Sequence, residues 1–198
     1  MKTFAATAAL ASLFATTAEA RMWLGECPSI EWNTGFDAAA FAGQWYEQER
    51  DAAFTFEMDQ MCSTGNYELN SEGTLDVQWR AMVPMNFYQY GSSPPGKMDC
   101  SESFNCQVSM AESEKTVSWG MIGTDYDNWH VTYWCGMMMG MQYSWLAIYG
   151  KEQKLSDAYM AEAKAAIEDK LPGYQMGWPW MKESVQGDYF GGSCQYEW

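Results

Sequence analysis

A chain of 198 residues that is 47% hydrophobic and 16% aromatic has ample material for a buried core, which excludes a disordered chain and suits one domain with a tail. Its formal charge of -15 disfavours nucleic acid and anionic membrane as partners and confers solubility through solvated carboxylates. Six cysteines with no Cys-x-x-Cys pair, beside the single histidine His130, point to disulfides ahead of a zinc site.

Met1 to Ala20 has the pattern of a secretory signal: Lys2, an apolar run from Phe4 to Phe14, and Ala18-Glu19-Ala20 as a small-x-small cleavage site. The run is too short to cross a bilayer comfortably, and no later stretch reaches that length. The mature protein is therefore expected to be soluble and secreted.

Arg21 to Gly35 reads as an extended lead-in, and Asp37 to Phe41 as one helical turn. Gln44 to Arg50 alternates as a strand, with Trp45, Glu47 and Glu49 expected on one face and Tyr46, Gln48 and Arg50 on the other. Further strands are expected at about Cys62 to Leu69, at Leu75, Val77 and Trp79, and near Asn86 to Tyr90. The period of two continues through Phe104 to Met110, then through Val117, Trp119 and Met121 after the polar turn Glu112 to Lys115. Trp129, Val131, Tyr133 and Cys135 alternate next, and a Gly- and Met-rich link from Gly136 to Met141 leads to Tyr143, Trp145, Ala147 and Tyr149.

Consecutive antiparallel strands of this number remove their edges by closing into an eight-stranded up-and-down barrel. One amphipathic helix follows. Ser156 caps it, Tyr159, Met160, Ala163, Ile167 and Leu171 form its apolar stripe, and Pro172-Gly173 stops it, so it is expected to pack outside the barrel. The expected division is a leader at 1–20, a barrel with helix at 21–173, and an aromatic, glycine-rich tail at 174–198 tethered through Cys194, with a ninth strand near Lys182 to Gln186.

Gly43-x-Trp45 on the first strand and Thr124-Asp125-Tyr126 between the sixth and seventh resemble the lipocalins, in particular the apolipoprotein D, bilin-binding and crustacyanin-like group. The order and spacing from Cys27-Pro28 through Phe36-Asp37 and Phe41, then from Thr124 to Trp129 and Cys135, and finally Trp145-Leu146-Ala147 before the helix, are similar to that group. The resemblance implies disulfides Cys27–Cys135 and Cys62–Cys194, leaving Cys100–Cys106 as an extra. It also implies an arginine at the end of the eighth strand, stacked on the first-strand tryptophan. This chain has Tyr149 there, so Arg50, Lys151 or Tyr149 itself is left to cover Trp45.

The family resemblance further implies an apolar ligand in the calyx. Leu75, Val77, Trp79, Val108, Met110, Val117, Trp119, Tyr133, Tyr143 and Trp145 are the candidate lining, with Trp129 near one end. Large flat rings suit a conjugated or polycyclic ligand, and methionine adapts to irregular shapes; the expected carrier takes a small hydrophobic ligand such as a fatty acid, sterol, retinoid, carotenoid or tetrapyrrole. A barrel of this size either keeps a cavity or fills with its own side chains. Glu47 and Glu49 either line that cavity or sit solvated at the rim. His130 is expected on the outer face, Asp125 and Asp127 in a hairpin turn, and Met137, Met138, Met139 and Met141 at a mobile apolar lip.

No catalytic or metal-binding constellation stands out, so the expected protein is not an enzyme. It needs no obligatory cofactor beyond a bound lipid or pigment, and it is a monomer or weak oligomer without a membrane span. The alternatives are an enzyme on the same fold acting on a lipid or isoprenoid, and an interaction protein that uses exposed aromatics and methionines.

Overall fold

The computed structural model describes residues 21–52, 60–111 and 116–197. The leader at Met1 to Ala20 and the turn Glu112 to Lys115 lie outside the described residues.

Asp37 accepts a hydrogen bond from Ala40 N at 3.0 Å and so starts α1 (Ala38–Phe41), the single turn that leads into the first barrel strand. The barrel strands are β2 (Gly43–Asp51), β3 (Met61–Leu69), β4 (Leu75–Val83), β6 (Gly96–Asp99), β7 (Asn105–Met110), β8 (Thr116–Thr124), β9 (Trp129–Met138) and β10 (Met141–Gly150). Each pairs antiparallel with the next, and β10 returns to pair with β2, which closes an eight-stranded barrel. Two short strands, β1 (Arg21–Leu24) on β10 and β5 (Gln89–Ser92) on β4, extend the wall.

The strand expected near Asn86 to Tyr90 is displaced. Pro84 starts a short 3-10 turn over Pro84–Asn86, and Phe87 and Tyr88 follow at φ 55° and 57°, which reverses the chain. The strand that bonds to β7 is β6 instead. At the other correction, Gly136 to Met138 belong to β9, and the link shrinks to a tight turn with Met139 and Gly140 at φ 53° and 79°.

β2 is also irregular. Ile148 stands opposite Glu49 and Tyr149 opposite Glu47, so Gln48 is an extra residue in the ladder. The bulge breaks the expected alternation: Trp45, Glu47 and Arg50 share the interior, while Glu49 turns outward to Lys164 Nζ at 2.8 Å. Lys164 belongs to α2 (Asp157–Lys170), whose cap Ser156 Oγ accepts from Tyr159 N. Ala163, Ile167 and Leu171 from its stripe are buried against Ile122, Val131, Leu146 and Ile148 of the outer wall.

The three disulfides are Cys27–Cys135, Cys62–Cys194 and Cys100–Cys106. The second fixes the tail, in which β11 (Met181–Glu183) pairs with β2 and a hairpin of β12 (Asp188–Tyr189) and β13 (Gly192–Ser193) follows.

The lead-in packs closely enough to demand a glycine beneath it. A Cβ on Gly120 of β8 would lie 2.1 Å from the Trp32 ring. Gly120→Ala should therefore displace Trp32 and lower stability by about 1–3 kcal/mol, the usual cost of overpacking. Urea unfolding midpoints of the two proteins check this, and equal midpoints would show that Trp32 yields without cost.

Candidate functional site

The closed end of the barrel is solid. Trp45 is fully buried, donates from Nε1 to Phe41 O at 2.9 Å, and stacks on Phe41 at 5.1 Å. Its covering cation is Lys151, whose Nζ lies 4.0 Å from the ring centroid and donates to Ala42 O at 2.8 Å. Burial pushes the Lys151 ammonium below its ordinary pKa, with Asp127 pulling the other way.

His130 is part of this floor, contrary to its expected place on the outer face. Its ring stacks on Tyr149 at 4.8 Å and meets Trp45 edge-on at 4.5 Å. Neither ring nitrogen has a hydrogen-bond partner among the described residues. Alternation explains the reversal. His130, Thr132 and Trp134 face inward, so Trp129 and Tyr133 face outward and pack beneath α2. Both are removed from the expected calyx lining. Trp129 Nε1 instead donates to Glu162 Oε2 at 3.2 Å.

The turn from β8 to β9 beside this floor, residues 124–129, is built from hydrogen bonds, as its sequence suggested. Asp125 accepts from Asn128 N at 2.7 Å and Trp129 N at 2.9 Å, while Asn128 Nδ2 binds its second oxygen at 2.8 Å. Burial alone would raise the Asp125 pKa, but these donors outweigh it and hold the carboxyl below its usual value. Asp125 is therefore a turn anchor and not half of a catalytic pair.

Above the floor the barrel is hollow. A cavity of about 450 Å³ is bordered by the rings of Trp79, Trp119, Trp145 and Tyr149 together with Glu47, Ser63, Ala81, Gly91 and Ser93. The three indoles form a continuous wall, with Trp79 and Trp119 centroids 5.2 Å apart and Trp119 and Trp145 5.1 Å apart. Trp79 Nε1 is held by Tyr67 OH at 3.2 Å.

The other expected lining residues occupy different levels. Leu75, Val77 and Val108 are buried in the packed interior, and Met110 is half-buried against it. Val117 stands opposite Val108 but is 43% exposed, which places it toward the mouth. Tyr143 is half-buried and meets the Trp134 ring at 5.4 Å. Met137 and Met139 are exposed beside the β9–β10 turn.

Among the polar members of the cavity are Glu47, which the sequence left open between cavity and rim, and Ser63 and Tyr149, which it did not place there. Glu47 is buried, forms an ion pair with the fully buried Arg50, and accepts a further hydrogen bond from Ser184 Oγ. Tyr149 OH donates weakly to its other oxygen at 3.4 Å. Arg50 also donates to Gln60 O at 2.9 Å. The alternation of Trp45 and Glu47 was the available signal for Glu47; the bulge that brings Arg50 inside had none.

A second recess of about 570 Å³ lies outside the barrel at the end of α2, lined by Glu26, Pro28, Tyr133, Lys170 and Tyr174. Its two aromatic rings, Tyr133 and Tyr174, meet edge-on at 6.2 Å. Among the described residues no cluster of three or more His, Cys, Asp or Glu side chains is arranged to hold a metal ion.

No family model matches the chain. Apolipoprotein D of Mus musculus is 29% identical over 128 residues, which span 65% of this chain and 67% of that protein. Insecticyanin from the tobacco hornworm Manduca sexta superposes with a TM-score of 0.72 at 16% identity, over 89% of this chain and 93% of that one. The amine binding protein of Rhodnius prolixus, solved as its tryptamine complex, gives a TM-score of 0.65 at 16% identity, over 87% and 91% of the two chains.

The chain has the lipocalin fold. In sequence it is similar to apolipoprotein D, and in fold to insecticyanin. The lipocalin signature positions are those that build the floor: Gly43 and Trp45 at its base, and Thr124, Asp125 and Tyr126 in the adjoining turn.

The floor carries a pH dependence. Burial first, and the charge of Lys151 second, hold His130 well below its ordinary pKa. The native protein thus keeps the ring neutral, whereas the unfolded chain protonates it near pH 6.5. Its effect on stability is level above that pH and becomes increasingly unfavourable as the pH falls below it, by up to about 1.4 kcal/mol per pH unit. His130→Phe should lack this component, so the stability difference between variant and parent should move in favour of the variant as acid is added. Urea unfolding at a series of pH values between about 7.5 and 5 measures it; parallel curves would contradict it.

Proposed function

We propose that this lipocalin-fold protein is a secreted carrier or scavenger of a small hydrophobic ligand held in the calyx. The observation that supports the reading best is the wall of Trp79, Trp119 and Trp145 around a cavity of about 450 Å³, a volume in the range of small-molecule sites. Large flat rings, tilted 39° and 44° from one to the next, favour a planar or conjugated guest, such as a retinoid, carotenoid, tetrapyrrole or sterol, and the open mouth also admits a fatty acid. Secretion is supported by the leader pattern and by three disulfides, which persist in oxidising compartments. All six cysteines are paired, so no thiol nucleophile serves an enzymatic alternative.

The reading is tested by native mass spectrometry of the secreted protein and by titrating apolar ligands against tryptophan fluorescence. One small molecule should be retained in near one-to-one ratio, and quenching should saturate. Trp119→Ala removes the middle ring and should weaken binding at least about tenfold, as expected for loss of a large buried contact. Absence of both a retained ligand and saturable quenching would remove the carrier reading in favour of a scaffold.

A further inference from the structure

The eight barrel strands alone do not complete the upper wall of the calyx. β2 and β3 pair only where Gly43 to Tyr46 face Thr64 to Tyr67. Beyond that they part, and the C-terminal tail lies between them. On the β2 side, β11 pairs with Glu49 to Asp51, Ala52 N donates to Trp180 O at 2.9 Å, and Ser184 N donates to Gln48 O at 2.8 Å. On the β3 side, Cys62 N donates to Val185 O at 2.8 Å. The Gln186 side-chain amide then reaches both strands, donating to Glu47 O and to Ser63 O at 2.9 Å each. A glutamine thus occupies the place of a missing backbone rung. Directly behind it stand Glu47, Gln60 and Ser63 of the cavity wall.

We infer that residues 181–186 are a detachable wall panel, latched by Cys62–Cys194, and that releasing the latch opens a side entrance to the calyx for its apolar ligand. This rests on the carrier reading of the cavity. Among the described residues, the panel is held on its β3 edge by one backbone hydrogen bond and one side-chain amide, compared with the continuous ladders elsewhere. The disulfide ties the chain beyond the panel, at Cys194, to Cys62 of β3.

A dithiol reductant can work the latch. Cys194 is only half-buried, whereas Cys62 is 1% exposed, so the attacking thiolate forms a mixed disulfide at Cys194 and Cys62 leaves as thiolate and takes up a proton. The reductant's second thiol then displaces Cys194, leaving two protein thiols and the cyclic, oxidised reductant.

The test uses the full mature chain carrying Cys62→Ser and Cys194→Ser, with the other two disulfides intact, and Nile red as an uncharged apolar probe. Stopped-flow association and dissociation rates should both rise about tenfold over the parent with affinity little changed, as for an access barrier that is lowered without altering the site. Amide exchange at Ala52, Cys62 and Ser184 should accelerate while Val131 and Leu146 keep their protection. Gln186→Ala with the disulfide kept should give intermediate values, and it serves if the double variant does not fold. Unchanged probe rates beside faster panel exchange would overturn the entrance. Loss of protection throughout the barrel, or none at the panel, would overturn the panel itself. If the parent binds no Nile red and no other apolar ligand, the carrier reading fails, and amide exchange still decides whether the panel detaches.

Discussion

The bulge at Gln48 lets one strand close the barrel, hold the helix and furnish the cavity at once. In a regular strand the residues at 45, 47 and 49 would all face inward, and Arg50 would face solvent. With Gln48 as the extra residue, its side chain ties to the loop after β10, donating to Glu152 O at 3.0 Å and accepting from Leu155 N at 2.8 Å. Glu49 then reaches α2, and Arg50 enters the interior opposite Ala147. The small partner matters, since a larger residue at 147 would compete for the space of the guanidinium.

Bringing Arg50 inside creates a charge that must be matched. A buried ion pair gains Coulomb energy but loses the hydration of both members, so its net contribution is small, while removing one partner typically costs about 3–5 kcal/mol. Glu47 is consequently fixed in place by Arg50 and by the hydroxyl of Ser184, which comes from the tail. The polar side of the calyx is therefore assembled from two ends of the chain. Asp51, the next residue, extends the same logic: its Oδ2 accepts from Leu146 N at 3.0 Å and Tyr174 OH at 2.7 Å, beyond the last paired residues of β2 and β10.

Period-two patterns made the strands legible, and the helix was readable from its cap and stripe to within a residue. Alternation identifies which residues share a face, yet it does not say which face is inside. On β9 the more apolar face is the outer one, because α2 covers it, so apolarity points to Trp129 and Tyr133 where the structure turns His130 and Thr132 inward. β8 and β10 offered no such ambiguity at Trp119 and Trp145, and those rings do border the cavity. The stretch Pro84 to Pro95 hid β6 because prolines, glycine and serines break the pattern on either side of it. Neither the Gln48 bulge nor the insertion of the tail between β2 and β3 has a compositional mark; each is decided by how the ring of strands closes.

The hollow itself follows from an uneven distribution of side-chain size. Around the floor, Phe41, Trp45, Tyr67, His130 and Tyr149 interlock, and Gly65 gives way between them: a Cβ there would lie 2.8 Å from the Tyr67 ring. One level up, Trp79, Trp119 and Trp145 share the lining with the small residues Ser63, Ala81, Gly91 and Ser93. Eight strands fix a circumference that large residues on every strand would fill. Small residues on β3, β4 and β5 and at Ser93 leave room beside the indoles, so the open volume lies against the tryptophans and beside the ion pair. A guest that fits it must present a broad apolar face to the indoles and tolerate polar groups beside them, which is a demand for shape and amphipathic character that a uniformly greasy cylinder would not make.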